Sequence, residues 1–430
     1  MIGIDGFSAT ILAAEGIADA TVLLNGPLGC KYYQGRFADR WFPKDIFPGR
    51  YGHLCDLSYF GQPRVPCTFL DEEDYIDGAQ EKLEVALPIV AKRASGPIII
   101  VNSPGAALIG DDIGRSVREL GLTDRAIIIE SPAFSAPASQ GFEETMMRVV
   151  EALVPKRAPA PDRSVNLLGL SIMHKHWQGT VLELKRVLGL MGLDVKAVPG
   201  AGSSTDELRS SVDASLNIVL CPEYGAKLAR YYKEEHGTSY LVPSKGAPLG
   251  FDATECFIRE VASAMKMDPS PALRDLQASM NRAAQVLARC ASRLNSVKGS
   301  TFALRADSSI AYPLTEWLYS YMGMWPEAVE LLPRSDPLFS EKLRSFLETI
   351  GAIDALMRPV ESTPADTVFA EGRLVEQLKE EGQCIAGVDI AMPEGEHICF
   401  APRTHWGSVG PLYLLEEMVN DLVWGSEDSA

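Results

Sequence analysis

Thiol and imidazole groups carry most of the chemistry this sequence can offer. The eight cysteines are Cys30, Cys55, Cys67, Cys221, Cys256, Cys290, Cys384 and Cys399, and no two form a Cys-x-x-Cys pair. That excludes zinc fingers, rubredoxin-like sites and ferredoxin clusters held within one local run. Any metal centre must gather ligands from distant parts of the chain or from two chains. Cys30 closes Asn25-Gly26-Pro27-Leu28-Gly29-Cys30, directly after the apolar run Ala20–Leu24. A strand ending in such a turn places the thiol at the carboxyl end of a sheet, among backbone N–H groups that can hydrogen-bond cluster sulfurs. A buried structural thiol is the equal alternative on this motif alone. Between Cys55 and Cys67 lie Gly61, Pro63 and Pro66, so the two cysteines need not share an element and can converge. Cys290 falls in the apolar stripe of a helix and reads as a small core residue.

His174-Lys175-His176-Trp177 follows an apolar strand. Two imidazoles and an ammonium at a strand end can bind substrate carboxylates or relay protons; an exposed loop without function is the alternative. Arg305, Asp307 and Ser308 lie at a later strand end. The acidic run Asp71–Asp74 reads as a solvated helix start, and Asp111 or Asp112 as a helix cap.

These residues need elements to hold them. A chain of 430 residues exceeds the size at which one core stops growing, so two or three domains are expected. Short β-branched runs, Gly/Pro/Ser turns and helices of period 3.6 alternate: strands at Pro97–Val101, Ala126–Glu130, Val165–Ile172, Leu193–Val198, Leu216–Leu220 and Thr301–Arg305, with helices at Glu81–Ala94, Gly179–Met191, Glu223–His236, Pro271–Leu294, Ala311–Met322 and Pro411–Trp424. Such alternation means doubly wound α/β sheets. The clearest linker is 155–164, with three prolines and no apolar period. The boundaries are therefore 1–157 for a cluster-bearing α/β domain, 165–268 for a second Rossmann-like domain, and 269–430 for a long helix, a third Rossmann-like domain and a C-terminal helix. The chain is expected to begin abruptly at its first strand. A net charge of −17 argues against nucleic acid and anionic membranes. No apolar run is long enough to span a bilayer, and no export signal is visible, so the expected location is the cytoplasm.

In order and spacing, NGPLGC at 25–30, LDEEDYIDGAQEKL at 70–83, SPGAALIGDDI at 103–113, ELKRVLGLMGLDV at 183–195, LNIVLCPEYG at 216–225, PLGFDATECFI at 248–258 and GPLYLLEEMVNDL at 410–422 resemble component 1 of nitrogenase and its relatives. The resemblance covers nearly the whole chain. It implies three Rossmann-like domains with parallel sheets and a dimer or pseudo-dimer with a second copy or a paralogous subunit. It also implies an iron–sulfur cluster near the subunit interface, with electrons from an ATP-dependent iron protein. The chain has no Gly-x-x-x-x-Gly-Lys-Ser/Thr loop, so ATP chemistry falls to that partner.

The departures from the family are informative. Relatives with a full cluster site supply three cysteines per subunit; here Cys30 keeps the middle one, the first position falls near Asp5-Gly6-Phe7, and the third is Ser103. A P-cluster with three thiolates from this chain is therefore excluded. If Cys55 and Cys67 ligate, the site is rebuilt, and one [4Fe–4S] cluster shared between two chains is the economical arrangement. Cys221 aligns with the cysteine that holds the iron–molybdenum cofactor in nitrogenase, and His405 lies one residue from the histidine of that site. Tetrapyrrole-reducing relatives use the same cavity for organic substrates without such ligands, so a second metallocofactor or a tetrapyrrole in an inter-domain cavity both stay open. The short start resembles the nickel-tetrapyrrole cyclase type.

The expected activity is reduction of an unsaturated or tetrapyrrole-like small molecule in an anaerobic setting. Cys30, Cys55 and Cys67 are the metal ligands, Cys221 and Arg305 the cofactor-binding residues, and His174, His176 and His405 the catalytic residues. The rival classes are a metallocofactor assembly scaffold and a cluster-free α/β metabolite-binding protein.

Overall fold

The computed structural model describes residues 4–35, 58–59, 62–63, 65–130, 135–156, 162–289, 297–392 and 401–427. Cys55, Cys290 and Cys399 lie outside the described residues. The chain divides into two compact units, one of Met1–Ala158 with Ala197–Val212 and the other of Pro159–Lys196 with Asp213–Ala430.

The first unit is built on three parallel strands, β1 (Thr21–Asn25), β2 (Ile98–Asn102) and β3 (Ala126–Ile129), with β2 in the middle. Leu23 pairs with Ile100, and Ile100 with Ile128. All five residues of β2 are buried, because a parallel sheet is covered on both faces and its strands read as continuous apolar runs. On one face Leu83, Leu87 and Val90 of helix Gln80–Arg93, with Ile113 and Val117 of helix Ile113–Glu119, pack on Leu23, Ile98 and Ile100.

A helix at Gly6–Glu15 also packs on this sheet and on helix Ala138–Leu153. It corrects the expectation that the described chain opens on a strand. All ten of its residues are buried, so it has no solvent-facing side and no amphipathic period to betray it in the sequence. The acidic run does open a helix, but as a capping box between Asp71 and Asp74 in which Asp74 is buried rather than solvated. The cap reading holds for Asp112, which accepts from the Arg115 N–H at 2.8 Å.

The second unit contains two four-stranded sheets. One has the order β5 (Asp194–Ala197), β4 (Ser164–Leu168), β6 (Leu216–Val219), β7 (Tyr240–Leu241). The other has the order β9 (Trp325–Leu331), β8 (Thr301–Ala306), β10 (Thr367–Glu371), β11 (Ala386–Ala391). Crossovers between non-neighbouring strands make both doubly wound, as the alternation requires. Ala303, Ala328, Val368 and Ala370 of the second sheet share a core with Leu374, Val375 and Leu378 of helix Gly372–Glu380. The expected helix at 311–322 starts earlier, at Ser308, and passes into a π turn over Leu318–Met322. No helix among the described residues is long and apolar enough to cross a membrane.

Candidate functional site

The thiols of the first unit meet at the carboxyl ends of β1 and β2. The segment at 66–70 runs beside β1. The Leu24 N–H donates to the Pro66 carbonyl at 2.9 Å, the Thr68 N–H to Leu24 at 3.0 Å, and the Leu70 N–H to Gly26 at 3.0 Å. This alignment delivers Cys67 to the turn that carries Cys30. Thr68 fixes the register by accepting from the Gly26 N–H at 3.0 Å and donating to Asn25 Oδ1 at 2.9 Å, while Asn25 Nδ2 donates to Asn102 Oδ1 at 3.0 Å. Gly26 is required for the approach of β2, since a Cβ there would lie 2.6 Å from Ser103 Oγ. Ser103 itself caps the short helix Pro104–Ala107.

Burial raises the Cys30 thiol, the Ser103 hydroxyl opposes that rise, and the Asp5 carboxylate adds to it. Cys67 is pushed up to about 11, chiefly by burial, against the Phe69 N–H that it accepts at 3.4 Å; the neighbouring Cys30 adds to the rise. Ser103 and Asp5 thus lie near enough to Cys30 to act on its thiol, and Cys67 near enough to be influenced by Cys30. Around these segments Leu28, Tyr32, Tyr33, Ile76 and Leu108 are exposed, Leu108 by 88%.

The imidazoles lie in the second unit. The turn after β4 is tied to β11 by a bridge between His174 and Ala391. Lys175 pairs with Asp389 at 2.8 Å, its side chain 3% exposed. His176 takes a left-handed backbone, φ 57°, and begins helix Trp177–Leu190. Two residues into that helix, Gly179 lets the 402–403 backbone approach, for a Cβ would sit 1.8 Å from the Arg403 carbonyl oxygen. Thr180 Oγ1 and Thr404 Oγ1 are 3.0 Å apart. Glu183 accepts from the N–H groups of Ser408 at 2.9 Å and Val409 at 3.2 Å, and is itself held by Arg186. These contacts press the 403–409 segment onto the helix and bring His405 against His176, their ring centroids 4.8 Å apart.

Glu417, on helix Gly410–Glu427, completes the group. His405 Nε2 is 2.9 Å from its Oε2, and His176 Nε2 is 3.7 Å from its Oε1. Burial works to raise the Glu417 carboxyl, but the facing imidazoles of His176 and His405 overcome this and hold it well below the ordinary carboxylate range. Burial lowers His176, and Glu417 only partly offsets it. At neutral pH the group is therefore an ionised carboxylate with an uncharged His176, a donor set suited to acid–base work or to a cation. His176 and Glu417 open on a cavity of about 520 Å³, lined also by Lys175, Asp389, Arg403 and Lys379.

The other expected residues fall into place differently. His174 is enclosed and lowered to about 4 by burial; its Nδ1 accepts from the Ser171 N–H at 3.0 Å, and its ring packs on Tyr224 and Trp406. Cys221 is fully buried at the end of β6, its thiol pushed up by burial. Arg305 is engaged by Glu330 at 3.2 Å, Glu361 at 3.2 Å and Glu371 at 3.4 Å. Asp307, raised to about 8 by burial and by Glu223, sits beside Tyr224. Glu223 accepts from Ser308 Oγ and Ser309 Oγ, each at 2.7 Å.

Sequence reading passes over Glu417. Its signal is a carboxylate three residues after Leu414 and one before Met418, both fully buried, on a helix stripe that otherwise faces the core.

A family model described as Nitrogenase component 1 type Oxidoreductase matches residues 6–386. A light-independent protochlorophyllide reductase subunit from Rhodopseudomonas palustris (strain TIE-1) is 30% identical over 222 residues, 49% of this chain and 41% of that protein. The corresponding protein from Synechococcus sp. (strain CC9605) is 30% identical over 185 residues, 40% of this chain and 35% of that protein. The chain thus matches less than half the length of these curated relatives. A solved structure titled "Nitrogenase Cp1 at pH 6.5" shares the fold with a TM-score of 0.76, over 100% of this chain and 95% of that one, at 15% identity. The family match runs from the buried first helix to the first residue of β11, and the chain belongs to the nitrogenase component 1 type oxidoreductases.

Proposed function

We propose that this chain is the electron-accepting, substrate-binding component of a nitrogenase-like reductase that acts on an unsaturated or tetrapyrrole-like small molecule. The observation that carries the reading is the meeting of Cys30 and Cys67, with Ser103 and Asp5, under an exposed apolar rim. Two thiols are half the set that a [4Fe–4S] cluster takes, so the donors fit a cluster shared with a second copy or a paralogous subunit across that rim. When bound, such a cluster supplies single-electron transfer. Cys30 and Cys67 ligate it, and Leu28, Tyr32, Tyr33 and Leu108 exclude water beside it. The relatives' names support a reductive role, and an ATP-dependent iron protein in the cytoplasm is the expected electron source. The three domains at 1–157, 165–268 and 269–430 remain part of this proposal.

The substrate is met at the His176–Glu417–His405 end of the cavity in the second unit, where these polar groups orient it as it is reduced. His174, enclosed and uncharged at neutral pH, positions Tyr224 and Trp406 rather than delivering protons. The full burial of Cys221 favours an organic substrate over the scaffold reading, which needs an open thiol.

The test is Cys30→Ala, with iron per chain and the EPR signal of the reduced, anaerobically purified protein as readouts. Loss of most of the iron and of the signal is expected. Unchanged iron and an unchanged signal would sink the proposal. Cys256 and Cys384 substitutions serve as controls that keep both.

A further inference from the structure

The atoms of His176, His405 and Glu417 that can bind a metal all lie within 4.8 Å of one another. Three points so close share a centre from which each need move by less than an ångström to reach the ~2.0–2.2 Å bonds of zinc to imidazole and carboxylate. The two imidazoles are deeply enclosed, their side chains 5% and 3% exposed. His176 Nε2 is buried and has no hydrogen-bond partner among the described residues, although it is aimed at Glu417. A buried ring nitrogen in that condition carries a cost that a ligand would remove. The cavity beside it is lined by five carboxylates, Asp389, Glu376, Glu416, Glu417 and Asp421, against the three cationic groups Lys175, Lys379 and Arg403. Its charge therefore favours a cation over an anion.

We propose that His176, His405 and Glu417 bind one divalent transition-metal ion at the wall of this cavity. Two imidazoles and one carboxylate are the ligand set of zinc and of non-haem ferrous iron, and three protein ligands leave a further coordination position. That position faces the cavity, so the ion presents an open site to a neutral oxygen or nitrogen donor of a small molecule. Arg403 is the competitor for the site. Its Nη1 lies 3.3 Å from Glu417 Oε1, but the side chain is 30% exposed and can turn away. Lys175 is already engaged by Asp389. The inference concerns only what fills the trio; it stands whether or not the cavity is the substrate site of the reductase proposed above.

The experiment uses the full chain, stripped with a chelator and then dialysed against zinc, with zinc per chain and zinc-dependent thermal stabilisation as readouts. Cobalt serves as a visible probe of the same site. Wild-type protein is expected to keep about one zinc, with affinity falling at least tenfold in Glu417→Gln and in His176→Asn. Arg403→Gln, at a partly exposed position, is expected to bind zinc severalfold more tightly, a gain that misfolding cannot mimic. Cys30→Ala should leave this zinc in place while removing the iron, so the two proposals fail separately. The inference is overturned if wild-type protein retains no zinc beyond the Glu417→Gln level. It is equally overturned if zinc is lost in Cys30→Ala but kept in Glu417→Gln, or if Arg403→Gln does not tighten binding.

Discussion

At the scale of single residues, what decides behaviour is who shares a buried charge. Asp307 is fully enclosed, faces Glu223 and Tyr224, and has its pKa raised to about 8 from 3.8. A carboxyl whose folded pKa is raised binds its proton more tightly when folded. Its contribution to stability is complete below the unfolded value and is lost as pH climbs from about 4 to about 8. Every tenfold gain in proton affinity on folding corresponds to about 1.4 kcal/mol, so the effect at this site is of the order of a few kcal/mol. Asp307→Asn keeps the shape without the titration. Urea denaturation at pH 5 and pH 8 should show the variant gaining on wild type as pH rises, and an unchanged gap would contradict the burial argument. None of this is legible in the sequence, where Asp307 looks like one of several polar groups at a strand end. The partners that perturb it, Glu223 and Tyr224, are more than eighty positions away.

At the scale of elements, the second unit's site depends on how closely one segment can lie on one helix. Helix Trp177–Leu190 is readable from its apolar period, which places its start within two residues. The close contact is not readable, because it is made by a missing side chain. Gly179→Ala puts a Cβ 1.8 Å from the Arg403 carbonyl oxygen, too close to accommodate without shifting backbone. Overpacking of this kind costs about 1–3 kcal/mol, and here the displacement falls on the segment that carries His405. Denaturation should show that loss, and histidine NMR should show the His405 and His176 signals moving together. A variant of wild-type stability with both signals unmoved would mean that Gly179 is incidental. The thiol end shows the opposite balance. The turn at 25–30 announces Cys30, and it is the pairing of segment 66–70 with β1 that brings Cys67 toward it; the expected convergence of Cys55 with Cys67 falls outside the described residues. The first helix escapes notice because it is buried all round, its few polar residues Ser8, Thr10 and Glu15 included, and so lacks the one-sided period that marks a surface helix.

At the scale of the whole molecule, alternating runs of β-branched residues and periodic helices are enough to reach doubly wound sheets, and motifs spread along the chain are enough to reach the family. Strands β9 and β11 cannot be foreseen in the same way, since their apolar runs are interrupted by Pro326 and Glu330 in the first and by Asp389 in the second. The site's full donor set is also out of reach, because Glu417 acquires meaning only beside His176 and His405. The central claim is that one chain supplies half of a cluster site and a second chain the rest. Native mass spectrometry of the anaerobically purified protein tests it most directly, because it reads assembly and metal in one measurement. A species of two component 1 type chains carrying a single four-iron cluster, dissociating to iron-free chains in Cys30→Ala, is the predicted result. A single chain that holds a complete four-iron cluster, or a two-chain species that holds none, would contradict the account.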